Sequence, residues 1–373
     1  MLDLQNNLLL RMLRDPSAMA DLSLVQWDVL LRQARIEKLH SRLAVKAHQL
    51  GFIDQLPPQV QPHMCGALAV TEAHDRAVRW EVDRIDKALC GLDTPVVLLK
   101  GAAYVMLDLP NAAGRLTTDV DIMVAKDQLP AVEQALVAAG WQTHKLNDYD
   151  QEYYRKWMHE LPPLRHRDRH THIDVHHTIL PESGRLHPNA AALLRDAQPL
   201  AASYLKVLAP IDMVLHSAAH LFQDGDFEHG LRDVVDLDDM LRQFETDDSS
   251  FVDRLVERAR EIDLIRPTAY MLHFVHKVMN TPIPEAAMRI AREHGPGEPA
   301  ARIMDRIITR VLAPDHPDHP TAKTAFAKWL LYIRSHWLRM PPALLACHLT
   351  RKALRRYFER ERPDEPDPTQ ANP

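Results

Sequence analysis

At 373 residues the chain exceeds what one typical hydrophobic core supports, so two or three domains are expected. Hydrophobic residues at 46% and charged residues at 26% describe a soluble globular protein, and a net charge of −6 gives no general argument for nucleic-acid binding. Three scattered cysteines, Cys65, Cys90 and Cys347, with no CxxC pairing speak against a disulfide framework or a thiolate zinc site and fit a reducing cytoplasm.

Acid and arginine interrupt the leucines of the first fifteen residues, so no signal-peptide core is expected there. No apolar run reaches the ~20 residues needed to span a bilayer, and a cytoplasmic setting is the expectation. Residues 1–92 read as helical: Leu24, Trp27, Leu30, Leu31, Ala34 and Ile36 recur at helical spacing, as do Val70, Ala73, Ala77 and Val78. Gly91 to Pro95 breaks that pattern. Val96 to Leu99 is then a short apolar strand, Lys100-Gly101 a turn, and Ala102 to Leu107 a helix whose first N–H groups face the turn.

Asp119 to Val124 follows as a strand. Leu129, Val132, Leu136 and Val137 predict a helix with Pro130 in its first turn and Gly140 as its stop. Leu161–His166 and Thr171–His176 predict a hairpin around Arg167-Asp168-Arg169. Beyond Pro181 the spacing predicts helices over Ile211–Phe222, Leu231–Phe244, Phe251–Ile262, Arg266–Met279 and Arg302–Leu312, the last flanked by loop-like patches within 294–320. The acidic, proline-rich end beyond Arg362 is expected to be disordered. The organisation read from this is a helical region 1–92, a strand-bearing core 93–200, a helical domain 201–362 and a tail 363–373.

The chemistry concentrates in the core. In a strand over Asp119 to Val124, alternation puts Asp119 and Asp121 on one face while Val120, Ile122 and Val124 point the other way. Asp-x-Asp also occurs at Asp148/Asp150, Asp224/Asp226 and Asp236/Asp238, where solvated turns are the simpler reading. Asp119/Asp121 differs in having an upstream strand-Gly-helix and a downstream Ile173-Asp174-Val175. Three acids on two strands suit hard divalent cations, Mg2+ above all, with Mn2+ a substitute. Moving a nucleoside monophosphate needs a neutralised triphosphate, a deprotonated acceptor and aligned atoms. Two ions about 3.5–4 Å apart, clamping the attacking and leaving oxygens, supply most of that. Gly101 lets the backbone approach phosphate, and Lys100 and Arg115 offer fixed positive charge.

LLKGAA, RLTTDVDIMV and IDVHH together resemble the uncharacterised nucleotidyltransferase family of the polymerase-β superfamily, well over Val96–Leu180 and more faintly through LHSAAHLFQDG and LRDVVDLDDML. The resemblance implies an α+β fold, a small mixed β-sheet core with helical regions flanking it, and Mg2+-dependent transfer from a nucleoside triphosphate. It makes Asp119, Asp121 and Asp174 the catalytic, metal-binding carboxylates and sets Lys100, Gly101, Ala102 and Arg115 on the phosphate side. One departure stands out: the superfamily's Gly-Ser turn is Gly101-Ala102 here, leaving phosphate binding to backbone N–H groups and Lys100. The family does not identify the acceptor, whether a small molecule, a lipid or sugar intermediate, or a peptide. ATP is the expected donor.

Twenty-two histidines invite a zinc reading at His172/His176/His177 or at His216/His220, the latter one turn apart on a helix. Neither carries a zinc-protease glutamate, and packed or hydrogen-bonded histidines are the simpler reading. His176, on the strand face of Asp174, is an acceptor-side candidate with His216 and His220. In Trp329–Phe358 aromatics mix with Arg351, Lys352, Arg355 and Arg356. An interfacial membrane segment is the alternative there to a terminal helix pair folded on the body. Two other functions compete with nucleotidyl transfer: a non-catalytic nucleotide-binding or scaffold partner, and a metal hydrolase centred on His216, His220 and Asp233.

Overall fold

The computed structural model describes residues 4–143, 158–225 and 227–339. Four helices open the chain: α1 (Leu8–Arg14), α2 (Leu24–Ile36), α3 (His40–Gln49) and the long α4 (Gln61–Leu89). A capping box starts α2, with the Ser23 hydroxyl accepting from the Gln26 N–H and the Gln26 side chain accepting from the Ser23 N–H. Trp27, Leu30, Leu31 and Ala34 of α2 are buried as expected, whereas Leu24 and Ile36, at the two ends of the helix, are exposed. In α4 the buried face is Met64, Ala67, Thr71, Val78, Val82, Ile85 and Leu89, while Val70, Ala73 and Ala77 face solvent. Only Val78 of the expected stripe is buried; α4 packs through the neighbouring face, whose larger side chains bury more apolar area.

The middle of the chain alternates strands and helices: β1 (Val97–Leu98), α5 (Lys100–Met106), β2 (Asp119–Met123), α6 (Leu129–Ala138), β3 (Trp141–Thr143), β4 (Leu164–His166), β5 (His172–His176), α7 (Ala190–Asp196), β6 (Gln198–Pro199) and β7 (Lys206–Val207). The strands form one seven-stranded sheet in the order β3-β4-β5-β2-β1-β7-β6. It is mixed: β2 runs parallel to β5 and β1 to β7, and the other neighbours are antiparallel. The expected hairpin is present, with Leu164 opposite Ile173 and Arg165 opposite His172. In β2 and β5, Val120 and Ile122 lie opposite Ile173 and Val175, all four buried. Burying each is worth about 1.5–3 kcal/mol, and a one-residue slip would turn the set toward water, so the register is strongly specified.

Seven further helices follow: α8 (Pro210–Ala219), running on into a π-helical turn at His220–Asp224, then α9 (Gly230–Asp247), α10 (Phe251–Glu261), α11 (Ile265–Met279), α12 (Glu285–His294), α13 (Glu298–Leu312) and α14 (Ala322–Arg339). Helical character therefore starts earlier in 294–320 than the prolines and glycines suggest, and α12 is an added element. One continuous cluster of buried apolar residues joins the N-terminal helices, the sheet and the C-terminal helices.

Polar ties reinforce this union. Buried Arg42 of α3 reaches the Asn111 carbonyl at 2.7 Å, Asp236 of α9 at 2.5 Å, and Asp239. Gly114, at φ +77°, lets the chain pass so close that a Cβ would sit 2.6 Å from the Arg42 nitrogen. Asp236 and Asp238 are thus no solvated turn: both are buried on α9, and Asp238 accepts from Thr281 Oγ1 at 2.7 Å and Arg242 Nε at 2.7 Å. On α14, Phe326, Trp329, Ile333 and Trp337 are exposed, and no described helix is long and apolar enough to cross a membrane. Arg351, Lys352, Arg355, Arg356, the tail 363–373 and Asp148/Asp150 lie outside the described residues, as do the side chains of Asp224 and Asp226.

Candidate active site

The parallel pairing of β2 with β5 sets Asp121 directly opposite Asp174, with Asp119 two residues away on the same face. Ligand oxygens of Asp119, Asp121 and Asp174 all lie within 4.8 Å of one another. The electrostatics of the three differ. Burial pushes the Asp174 carboxyl up to about 7, with Asp121 and Glu160 adding to it. Asp119 is raised by burial and by Asp121. Asp121 is held well below the usual carboxylate range: burial opposes ionisation, but Lys100 and the hydrogen bond from His176 outweigh it. Asp174 Oδ1 is buried and has no hydrogen-bond partner among the described residues. A buried acceptor left without a donor, facing two more carboxylates, has the chemistry of a hard-cation site, so the residues fit Mg2+.

Lys100 lies at the exit of β1 with φ +44°, a left-handed conformation that costs a non-glycine residue about 1 kcal/mol or more. That bend aims its Nζ at Asp121 Oδ2, 3.7 Å away. Gly101 is required by packing: a Cβ there would stand 1.9 Å from Thr117 Cγ2 and 2.8 Å from a terminal nitrogen of Arg115. Thr117 is pinned in turn, its N–H donating to His74 Nε2 of α4 at 3.0 Å. Ala102 is buried inside α5, a helix of only seven residues. Arg115 is nearly buried. Its Nε donates to Asp236 at 2.6 Å, Asp233 lies 3.9 Å away, and its guanidinium covers the Tyr104 ring. Burial works against its charge, but Asp236 and Asp233 more than offset that.

His176 sits between two acids, its Nε2 donating to Asp121 Oδ1 at 3.0 Å and its Nδ1 3.4 Å from Glu160 Oε2. Burial lowers its pKa, yet these two acids raise it above the ordinary value. His216 is buried on α8 and His220 opens the π-helical turn. His216 is kept neutral first by burial and then by Lys100, and His220 first by the Lys100 charge, which puts both within electrostatic reach of the Lys100–Asp121 pair. The Tyr104 and Ser217 hydroxyls, 2.6 Å apart, join α5 to α8. Asp233, by contrast, is engaged by Arg232 at 2.9 Å, and among the described residues no potential metal group includes His216, His220 or Asp233.

Two groups at the site, His159 and Glu160, carry no sequence signal. They precede β4, and only the bridge pairing Glu160 with His176 brings them to the aspartates.

Lys100 and Gly101, expected as a turn, form the start of α5 instead. A mixed sheet carrying paired aspartates on one strand and a third on its parallel neighbour, beside that helix start, defines the class of protein as a nucleotidyltransferase-type domain. A family model described as uncharacterised nucleotidyltransferase matches residues 23–280, and the chain belongs to that family. The match takes in α2 to α4 and α8 to α11 as well as the sheet, so the family module is wider than Val96–Leu180. Family membership makes this a transferase domain whose implied substrate is a nucleoside triphosphate. Neither the curated proteins nor the solved structures provide a match.

Proposed function

We propose that the chain moves a nucleoside monophosphate from a nucleoside triphosphate, ATP the expected donor, to an acceptor entering between the β2–β5 face and α8. The observation that carries this reading is the convergence of Asp119, Asp121 and Asp174 beside Lys100. Asp119 and Asp121 would hold two Mg2+ ions, or Mn2+ in their place, and Asp174 would complete the acceptor-side position. Bound there, the ions supply charge neutralisation of the triphosphate and a clamp on the attacking and leaving oxygens.

The remaining work falls to side chains. Lys100 faces the β- and γ-phosphates and stabilises departing pyrophosphate through its charge. Arg115, tied to Asp236, contributes its field beside Gly101 at the start of α5 from a fixed position rather than by swinging onto the substrate. A seven-residue α5 adds little macrodipole, so with no serine in the turn Lys100 carries most of the phosphate recognition. His176 orients Asp121 by donating from Nε2. Asp174, whose Oδ1 has no hydrogen-bond partner among the described residues, would receive the acceptor's proton. Helix α8 and the π-helical turn that follows it, carrying His216 and His220, would wall the face and limit water, which favours transfer over hydrolysis.

The test is incubation of the purified chain with each α-labelled triphosphate and Mg2+ in cell extract. Label should move to a discrete acceptor with wild-type protein and not with Asp121→Asn. Equal labelling by both would reject the assignment.

A further inference from the structure

We propose that His159, Glu160 and His176 form a second cation site, distinct from the three aspartates and selective for a transition ion such as Zn2+. One ligand atom from each of these residues lies within 4.8 Å of the others. His176 Nδ1 and Glu160 Oε2 are 3.4 Å apart, long for a strong hydrogen bond but close to the edge of a tetrahedron with metal bonds of about 2.0–2.2 Å. The His159 ring lies 5.2 Å from that of His176, and its Nδ1 is buried with no hydrogen-bond partner among the described residues. A buried imidazole nitrogen left unpartnered beside a carboxylate and a second imidazole is a costly arrangement that a bound cation relieves.

The backbone holds these groups in place. Leu161 N–H donates to the Val175 carbonyl at 2.8 Å and His177 N–H to the His159 carbonyl at 2.9 Å. Those two bonds flank the Glu160–His176 pair, making it a close, non-hydrogen-bonded antiparallel pair whose side chains share a face. The other nitrogen of His176 donates to Asp121 Oδ1 at 3.0 Å. With an ion bound this would be a carboxylate–histidine–metal arrangement, in which Asp121, behind His176, fixes the tautomer and strengthens the ligand. Two imidazoles with one carboxylate suit Zn2+, Co2+, Fe2+ or Mn2+ and disfavour Mg2+, which prefers oxygen donors. Three protein ligands leave a position open to water. This site does not rest on the proposed transfer reaction; His176 makes its hydrogen bond to the aspartates, and Glu160 acts on Asp174 through its charge alone.

The experiment is titration of the full, chelator-stripped chain with Co2+ in millimolar Mg2+, read by the visible d–d absorption of the protein-bound ion. Wild type should take up one tight equivalent that Zn2+ displaces. His159→Ala and the nearly isosteric Glu160→Gln should each weaken it at least ten-fold, with the near-ultraviolet circular dichroism of the fold retained. Asp174→Asn should leave it unchanged, which separates this site from the aspartate site. No tight equivalent in wild type, or full binding in either variant of the triad, overturns the proposal. So does loss in Asp174→Asn.

Discussion

Replacing Asp174 with asparagine should stabilise the metal-free chain, and only at neutral to alkaline pH. In the folded chain burial, with Asp121 and Glu160 behind it, moves this carboxyl from its ordinary 3.8 up to about 7. A raised acid binds its proton more tightly folded than unfolded, so the penalty is absent below about pH 4, grows through pH 4–7 and is complete above about pH 7. At about 1.4 kcal/mol per pKa unit the full penalty is roughly 4 kcal/mol. For 373 residues, an unfolding entropy of about 2.1 cal/mol/K per residue turns that into a Tm rise of ~5 °C. Thermal unfolding of both proteins in a chelator, from pH 4 to pH 8, gives the difference directly. The Tm gap should be near zero at pH 4 and largest at pH 8. Mg2+ should raise the wild-type Tm at pH 8 and raise that of Asp174→Asn by less, since Asp119 and Asp121 remain. A gap independent of pH, or a variant less stable at pH 8, would show that burial beside Asp121 and Glu160 does not hold the Asp174 carboxyl up.

Lys100→Ala should weaken triphosphate binding by about 1.5–3 kcal/mol while barely changing monophosphate binding, because its contacts are to the outer phosphates; equal losses by calorimetry would return Lys100 to a structural role. Gly101→Ala should cost about 1–3 kcal/mol of stability through the clash with Thr117 Cγ2, and Thr117→Ser, which removes that methyl, should recover much of it in the double variant. Arg42→Ala should cost about 3–5 kcal/mol in chemical denaturation, since it strips a partner from buried Asp236; a loss below about 1 kcal/mol would mean that Arg115 alone satisfies that acid. Asp121→Asn should lower transfer at least about a hundredfold with the fold intact, more than the loss of a residue that only hydrogen-bonds to a metal ligand costs.

What was legible in the chain was local. Asp119 and Asp121 share a face because strand alternation needs only neighbouring residues, and the Val120/Ile122 and Ile173/Val175 faces announce their strands in the same way. The hairpin placed Asp174 on the right strand because a charged turn separates two apolar alternations. Where two helical faces compete, as on α4, spacing alone could not choose: Val70, Ala73 and Ala77 look outward. The two-residue strands β6 and β7 are too short to carry a period. Asp236 reads as one of several Asp-x-Asp pairs until Arg42 and Arg115, both remote in sequence, close around it. His159 and Glu160 are the clearest case, since an isolated bridge to β5 gives them their place and leaves no local pattern.

Diffraction from crystals grown with a non-hydrolysable triphosphate and Mn2+ would show whether triphosphate and metal meet at Asp119, Asp121 and Asp174. Manganese anomalous density is expected beside the Asp119 and Asp121 carboxylates, with the β- and γ-phosphates on the Lys100 side. Nucleotide bound instead in the 700 Å³ cavity between α11, α12 and α13, beside Arg292, Arg302 and Arg306, with no manganese at the aspartates, would contradict it.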